Sequence, residues 1–207
     1  MRGRKRRDNA WLSGRVKSIR NVGNSNLTKE EEKMILRMTH KLGDKIHEKP
    51  TQSIPIAENP FVDWTANLFY ADRAQYIIIA NTLSLYSVII LGRGITDSNW
   101  LIKRTISTLR EFLKDDGQEE SFDEYISEET GSFLLTKTRN RRILGSLNQL
   151  VREAKVHLTK GELSPYRTSF RLNDTLLSFL GEGEGLSYGK PREAFQKLAA
   201  HAKDGME

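Results

Sequence analysis

The segment from Trp64 to Leu91 constrains the fold more than any other. Trp64 to Tyr70 alternates apolar and polar residues, the pattern of a strand with one buried face. Ala71-Asp-Arg-Ala74 reads as a turn, Gln75 to Ala80 is a β-branched run, and Asn81-Thr82 breaks it before Leu83 to Leu91 resumes strand character. Short strands separated by short breaks pair with their neighbours in antiparallel fashion, because parallel pairs require long crossovers. The spacing predicts an antiparallel meander centred on Ile77-Ile-Ile79 and Val88-Ile-Ile-Leu91.

Helical periodicity dominates the chain beyond the meander. Gly92-Arg-Gly94 closes the sheet segment, and Asp97 is placed to cap a helix running to about Lys114, with Ile102, Ile106, Leu109 and Leu113 on one face. Ser132 to Thr138 reads as another strand. Arg141 to Leu158 is a second long helix, with an apolar stripe of Ile143, Leu147, Leu150, Ala154 and Leu158. Phe122, Tyr125 and Ile126 mark a short helix within an acidic block, and Pro191 opens a closing helix that ends near His201. The stretch Met34 to His47 reads two ways: as one helix with Ile35, Met38, Leu42 and Ile46 on a face, or as a strand over Met34 to Thr39 followed by a helix over Lys41 to Glu48. Pro50, Pro55 and Pro60 make the next stretch a loop.

No run approaches the roughly 18 to 20 apolar residues of a membrane span, and no apolar core follows the basic N-terminus as in a secretory signal. The chain has no cysteine, which excludes disulfides, thiolate zinc sites and cysteine nucleophiles and fits a cytoplasmic protein. We expect no membrane association and no cofactor.

The net charge of +6 is unevenly placed. Eight basic residues fall within positions 1–20 (Arg2, Arg4, Lys5, Arg6, Arg7, Arg15, Lys17 and Arg20) against Asp8 alone, whereas residues 34–207 carry no net charge. We therefore expect a basic N-terminal arm over residues 1–33, largely irregular with a short helix near 29–33, and a neutral domain over 34–207. Clustered arginines neutralise phosphates and release counterions, and Trp11 is able to stack on a base, so the arm points to DNA or RNA.

A second basic signal lies inside the domain. Arg141, Gly145, Asn148, Arg152 and Lys155 recur at spacings of four and three, which puts them on one helix face, with Lys137 and Arg139 leading into it. The alternative is a solvated face paired with the acidic block of Asp115, Asp116, Glu119, Glu120, Asp123, Glu124, Glu128 and Glu129. That block, residues 115–129, is itself a candidate docking surface for a protein partner. Other motifs carry less. The run Gly181 to Lys190 lacks the glycine spacing of a phosphate loop and has Pro191 where Ser or Thr is required. His40, Asp44, His47 and Glu48 lack the spacing of a metal site, so no metal is expected.

Three stretches together resemble a known family: Asp63-Trp-Thr-Ala-Asn-Leu-Phe-Tyr-Ala-Asp-Arg73, then Tyr76 to Leu91, then Thr138-Arg-Asn-Arg-Arg-Ile-Leu-Gly-Ser-Leu-Asn148. They resemble an uncharacterised family of small bacterial proteins, a domain of unknown function, with an Asn-Arg-x-x-Leu-Gly-Ser-x-Asn signature. The resemblance spans Met34 to about Leu198. It implies a strand at 35–39, a domain edge at Met34, and no particular activity.

The expected fold is a single α+β domain. An antiparallel sheet of about five strands (35–39, 64–70, 75–80, 83–91 and 132–138) carries two main helices, 97–114 and 141–158. The expected function is a non-enzymatic module binding nucleic acid or another polyanion through the arm and the 141–155 face. The runner-up is a small hydrolase or toxin-like nuclease with a polar cleft built from Asp63, Asn67, Arg73, Asn81, Arg141 and Asn148. The third reading is a protein–protein adaptor using the acidic segment.

Overall fold

The computed structural model describes residues 17–18, 33–138, 140–159, 161–181 and 188–204. Its elements are β1 (Lys17–Ser18), β2 (Met34–Met38), α1 (His40–Lys45), β3 (Asp63–Ala71), β4 (Ala74–Asn81), β5 (Ser87–Leu91), α2 (Ser98–Asp115), α3 (Glu119–Tyr125), β6 (Ser132–Lys137), α4 (Arg141–Thr159), α5 (Pro165–Leu172), α6 (Ser178–Gly181) and α7 (Pro191–Asp204). The strands form one sheet in the order β1-β6-β2-β3-β4-β5.

The meander forms as its spacing requires. β3 and β4 pair antiparallel from Trp64 opposite Asn81 to Ala71 opposite Ala74, and β5 follows β4 with Ile77 opposite Ile90. The sheet as a whole is mixed, which corrects the expectation of an antiparallel sheet. β2 lies parallel to both β3 and β6, and β1 lies parallel to β6. The physical reason is length. Residues 39–62 are long enough to cross over from β2 to its parallel neighbour β3, and residues 92–131 are long enough to carry the chain from β5 to the other side of β2, where β6 also pairs in parallel. The continuous burial of Met34 to Met38 is the corresponding signature, since a parallel strand is covered on both faces.

The strand expected over 83–91 is shorter than its apolar run. Asn81 accepts three hydrogen bonds at Oδ1, from the backbone of Leu83 and Ser84 and from Ser84 Oγ, and so fixes a turn that holds Leu85 at φ 57°. Pairing resumes at Ser87.

Both faces of the sheet are covered. On one, Leu36, Trp64, Ala66, Ile77, Ile79, Val88 and Ile90 pack with α1, α2, α3 and Phe195 of α7. On the other, Phe69, Ile78, Ala80 and Ile89 pack against Ile143, Leu147, Leu150 and Ala154 of α4. The two long helices therefore lie on opposite faces, and five shorter helices complete the seven among the described residues. α5 was not foreseen. It runs beside β5, where Ser169 Oγ accepts from Ile89 N at 2.8 Å and Asn173 exchanges two bonds with the Ser87 backbone at 2.7 and 3.0 Å. These side chains satisfy backbone groups that an edge strand otherwise presents to other chains.

Residues 1–16 and 19–32 of the expected arm, and with them all but Lys33 of the helix expected near 29–33, lie outside the described residues. No helix among the described residues is long and apolar enough to cross a membrane.

Candidate functional site

Topology brings residues that are distant in sequence to the ends of the strands. β2, β3, β5 and β6 run in one direction. Their carboxyl ends bring together Thr39 and His40, the Asp72-Arg73 turn, Gly92-Arg93 and Lys137, and α1, α2 and α4 all start at this end. The acidic block falls between the end of α2 and the start of β6, at the opposite end.

Several of its carboxylates have partners there; those of Asp115 and Asp116 include residues of other helices, and the Asp116 carboxylate is buried. Asp116 accepts from Tyr86 Oη at 2.5 Å and pairs with Arg192, Asp115 accepts from Tyr166 Oη at 2.8 Å, Glu119 pairs with Lys114, and Glu120 pairs with Lys203. Burial, then the hydrogen bond to Asp116, push the Tyr86 hydroxyl well above its ordinary range.

The face of α4 is open. Asn140 Oδ1 accepts from Arg142 N at 3.0 Å and Ile143 N at 3.2 Å, so the helix is capped by its own side chain. Arg141, Gly145, Asn148, Arg152 and Lys155 are all exposed. The side chains of Arg141, Asn148, Arg152 and Lys155 have no hydrogen-bond or ion-pair partner among the described residues. A Cβ at Gly145 would meet nothing within 4 Å. At 1.5 Å per residue the row extends for about 20 Å. Glu153, the one acidic residue of this helix, is turned to Thr175, whose Oγ1 donates to it at 2.8 Å. Arg139 and the arm residues Arg2, Arg4, Lys5, Arg6, Arg7, Trp11, Arg15 and Arg20 lie outside the described residues, and of Lys17 only the strand backbone is described.

The residues proposed for a polar cleft do not share one. Asp63 is fully buried and forms a two-point ion pair with Arg37, a residue that sequence reasoning passed over. Its remaining capacity is taken by Thr82 Oγ1 at 2.8 Å and Ala57 N at 3.0 Å. Asn81 is fully buried and holds its own turn, and its Nδ2 donates to the Pro60 carbonyl at 2.7 Å. Asn67 accepts from Thr39 Oγ1 at 2.9 Å. Arg73 is exposed in the β3–β4 turn at φ 63°. Arg141 and Asn148 belong to the α4 face.

A cavity of about 260 Å³ opens beside Lys137, lined by Met38, Thr39, His40, Gly43, Asp44, Glu48, Lys49, Pro50 and Thr51. His40 and Asp44 form a 2.8 Å pair at its wall, and Glu48 accepts from Ser98 Oγ at 3.0 Å. Sequence reasoning singled out His40, Asp44 and Glu48 but had no means of joining them to Lys137.

The fold defines an α+β domain on a single mixed sheet. A family described as a domain of unknown function (DUF6933) matches residues 35–194, and the chain belongs to that family. The match leaves residues 1–34 outside it and agrees with the extent of the sequence resemblance. No curated protein and no solved structure matches the chain.

Proposed function

We propose that this protein is a non-enzymatic module that binds nucleic acid or another polyanion across the exposed face of α4, with the basic arm adding affinity. The observation that carries the reading is the row Arg141, Arg152 and Lys155, unpartnered among the described residues and standing on a domain with no net charge. Along α4, Arg141, Arg142, Arg152 and Lys155 stand against Glu153 alone, a local excess of positive charge. Phosphates spaced along a nucleic acid backbone neutralise such a row, and Gly145 at its middle lets the backbone approach closely. The partners of Asp115, Asp116, Glu119 and Glu120 are Tyr166, Tyr86, Arg192, Lys114 and Lys203, none of them on α4, so the acidic block does not account for this face by pairing with those four.

The other readings draw less support. A hydrolase or nuclease built on Asp63 and Asn81 would have to work with groups that are buried and already hydrogen-bonded. An adaptor using residues 115–129 would compete with the contacts that tie α2 to α5 and α7.

The test is a gel-shift titration of the full chain with duplex DNA and with single-stranded RNA at two salt concentrations. The triple substitution R141Q/R152Q/K155Q is expected to flatten the slope of log affinity against log salt by about 3, one for each phosphate that is no longer neutralised. An unchanged slope would remove α4 from the interface, and no shift at low salt would end the reading.

A further inference from the structure

We propose that the crevice between the carboxyl ends of β2 and β6 is a binding site for a small phosphate ester that carries hydroxyl groups, such as a sugar phosphate. The inference concerns a different site from the α4 face and does not rest on polyanion binding.

The crevice follows from topology. The chain leaving β2 enters α1, whose Leu42 packs on one face of the sheet. The chain leaving the neighbouring parallel strand β6 enters α4, whose Ile143 and Leu147 pack on the other. Where chains depart to opposite faces, nothing fills the space above the strand ends, and open α/β sheets bind their ligands at such points. The cavity of about 260 Å³ lies there. Its outer wall is the returning segment Glu48 to Thr51, held close because residue 43 is glycine: a Cβ there would come within 2.5 Å of the Glu48 carbonyl oxygen.

The side chains of the cavity divide into committed and uncommitted groups. Asp44 is held by His40, Glu48 by Ser98, and Thr39 donates to Asn67. Lys49 and Lys137 have no hydrogen-bond or ion-pair partner among the described residues. Two lysines without a partner among the described residues, both lining one small cavity, match a dianion, and lysine binds phosphate as a point charge. Each carboxylate retains acceptor capacity beyond its one partner, since its two oxygens offer about four lone-pair sites. Those sites repel a bare phosphate and accept hydroxyl protons, which favours a phosphate joined to a polyol over inorganic phosphate.

The experiment is calorimetric titration of the full chain with ribose 5-phosphate, and separately with ribose and with inorganic phosphate. Ribose 5-phosphate is expected to bind one per chain, more tightly than either fragment. K49Q/K137Q is expected to weaken it by at least about tenfold, the effect of losing one to two charge-assisted hydrogen bonds. R152Q/K155Q, on the α4 face, is expected to leave it within about twofold. Circular dichroism of both variants checks that each folds, as substitution of exposed side chains allows. The proposal is overturned by no saturable binding of ribose 5-phosphate, by binding that survives K49Q/K137Q, by equal loss in both variants, or by inorganic phosphate binding as tightly as the ester. Polyanion binding is read independently from the salt slope of the α4 variants, so either reading fails without the other.

Discussion

Arg37 on β2 and Asp63 on β3 meet inside the sheet layer as a two-point ion pair, Nε to Oδ1 and Nη2 to Oδ2 both at 2.7 Å, with both side chains almost wholly buried. The guanidinium also donates to the carbonyls of Ile54 and Pro55, at 2.8 and 2.6 Å. One arginine therefore joins two parallel strands to the loop that crosses over them. Removing one partner of a buried pair leaves an uncompensated charge, which costs far more than the pair itself contributes. D63A is expected to lower unfolding stability by about 3–5 kcal/mol in urea titrations. A loss below about 1 kcal/mol, the value of an exposed pair, would show that water reaches the guanidinium.

The edge of the sheet makes a separate prediction. Asn173, at the C-cap of α5, exchanges two hydrogen bonds with Ser87, and both residues are fully buried. N173A leaves a strand N–H and C=O unpaired, at a cost of about 1–3 kcal/mol for each buried group that water does not reach. It also bares part of an edge, so concentration-dependent association is expected in light scattering. A variant that is destabilised yet strictly monomeric would mean that α5 still covers the strand.

The meander and the two long helices were legible because their signals are local: alternation, turn residues and a 3.6-residue stripe each fit within one segment. The α4 face was legible for the same reason, since its spacing projects onto one side of one helix. The mixed pairing was not, because nothing within Met34 to Met38 names its neighbours. The arginine in that strand was the missed clue, since a cation in an otherwise buried strand requires a buried partner. Asp63 and Asn81 drew attention as polar residues at strand ends, and without Arg37 their structural role was invisible. The helix α5 escaped notice because Thr168 and Ser169, buried against β5, interrupt its apolar stripe. The capping pair Ser164-Pro165 was the available signal, with Ser164 Oγ accepting from Arg167 N at 3.2 Å. The crevice joins Lys49 to Lys137 through the segment that returns from α1 to the end of β6, where Lys137 N donates to the Gln52 carbonyl at 2.9 Å, a contact that no local pattern announces.

Two glycines give opposite predictions for one substitution. At Gly43 a methyl group would collide with the Glu48 carbonyl oxygen at 2.5 Å, so G43A is expected to destabilise by about 1–3 kcal/mol, as overpacking does. At Gly145 the same methyl group meets open space within a helix, so G145A is expected to stabilise by about 1 kcal/mol through helix propensity. Thermal unfolding of both variants checks the signs. If polyanions approach α4 closely, G145A will also weaken nucleic acid binding while raising stability, a combination that loss of folding cannot produce.

Tyr86 sets the alkaline limit of the fold. Its hydroxyl is buried beneath the β4–β5 turn and donates to Asp116 Oδ2, whose other oxygen pairs with Arg192. Burial and then the carboxylate disfavour the phenolate, so the folded pKa lies above that of the unfolded chain, which is near 10. A raised folded pKa contributes stability that is fully present below the unfolded value and is lost as pH rises beyond it, because only the unfolded chain then releases the proton. Unfolding free energy is therefore expected to decline above about pH 10, with Tyr86 contributing about 1.4 kcal/mol per pH unit. The Tyr166 hydroxyl is shifted in the same direction, by burial and then by its bond to Asp115, so Y86F removes part of the slope and not all of it. Urea titrations of the wild type and Y86F from about pH 8 to 11 measure the difference, in the window where tyrosine of the unfolded chain begins to ionise. Parallel slopes would show that Tyr86 ionises within the folded protein, and would place water beside a hydroxyl whose residue is fully buried.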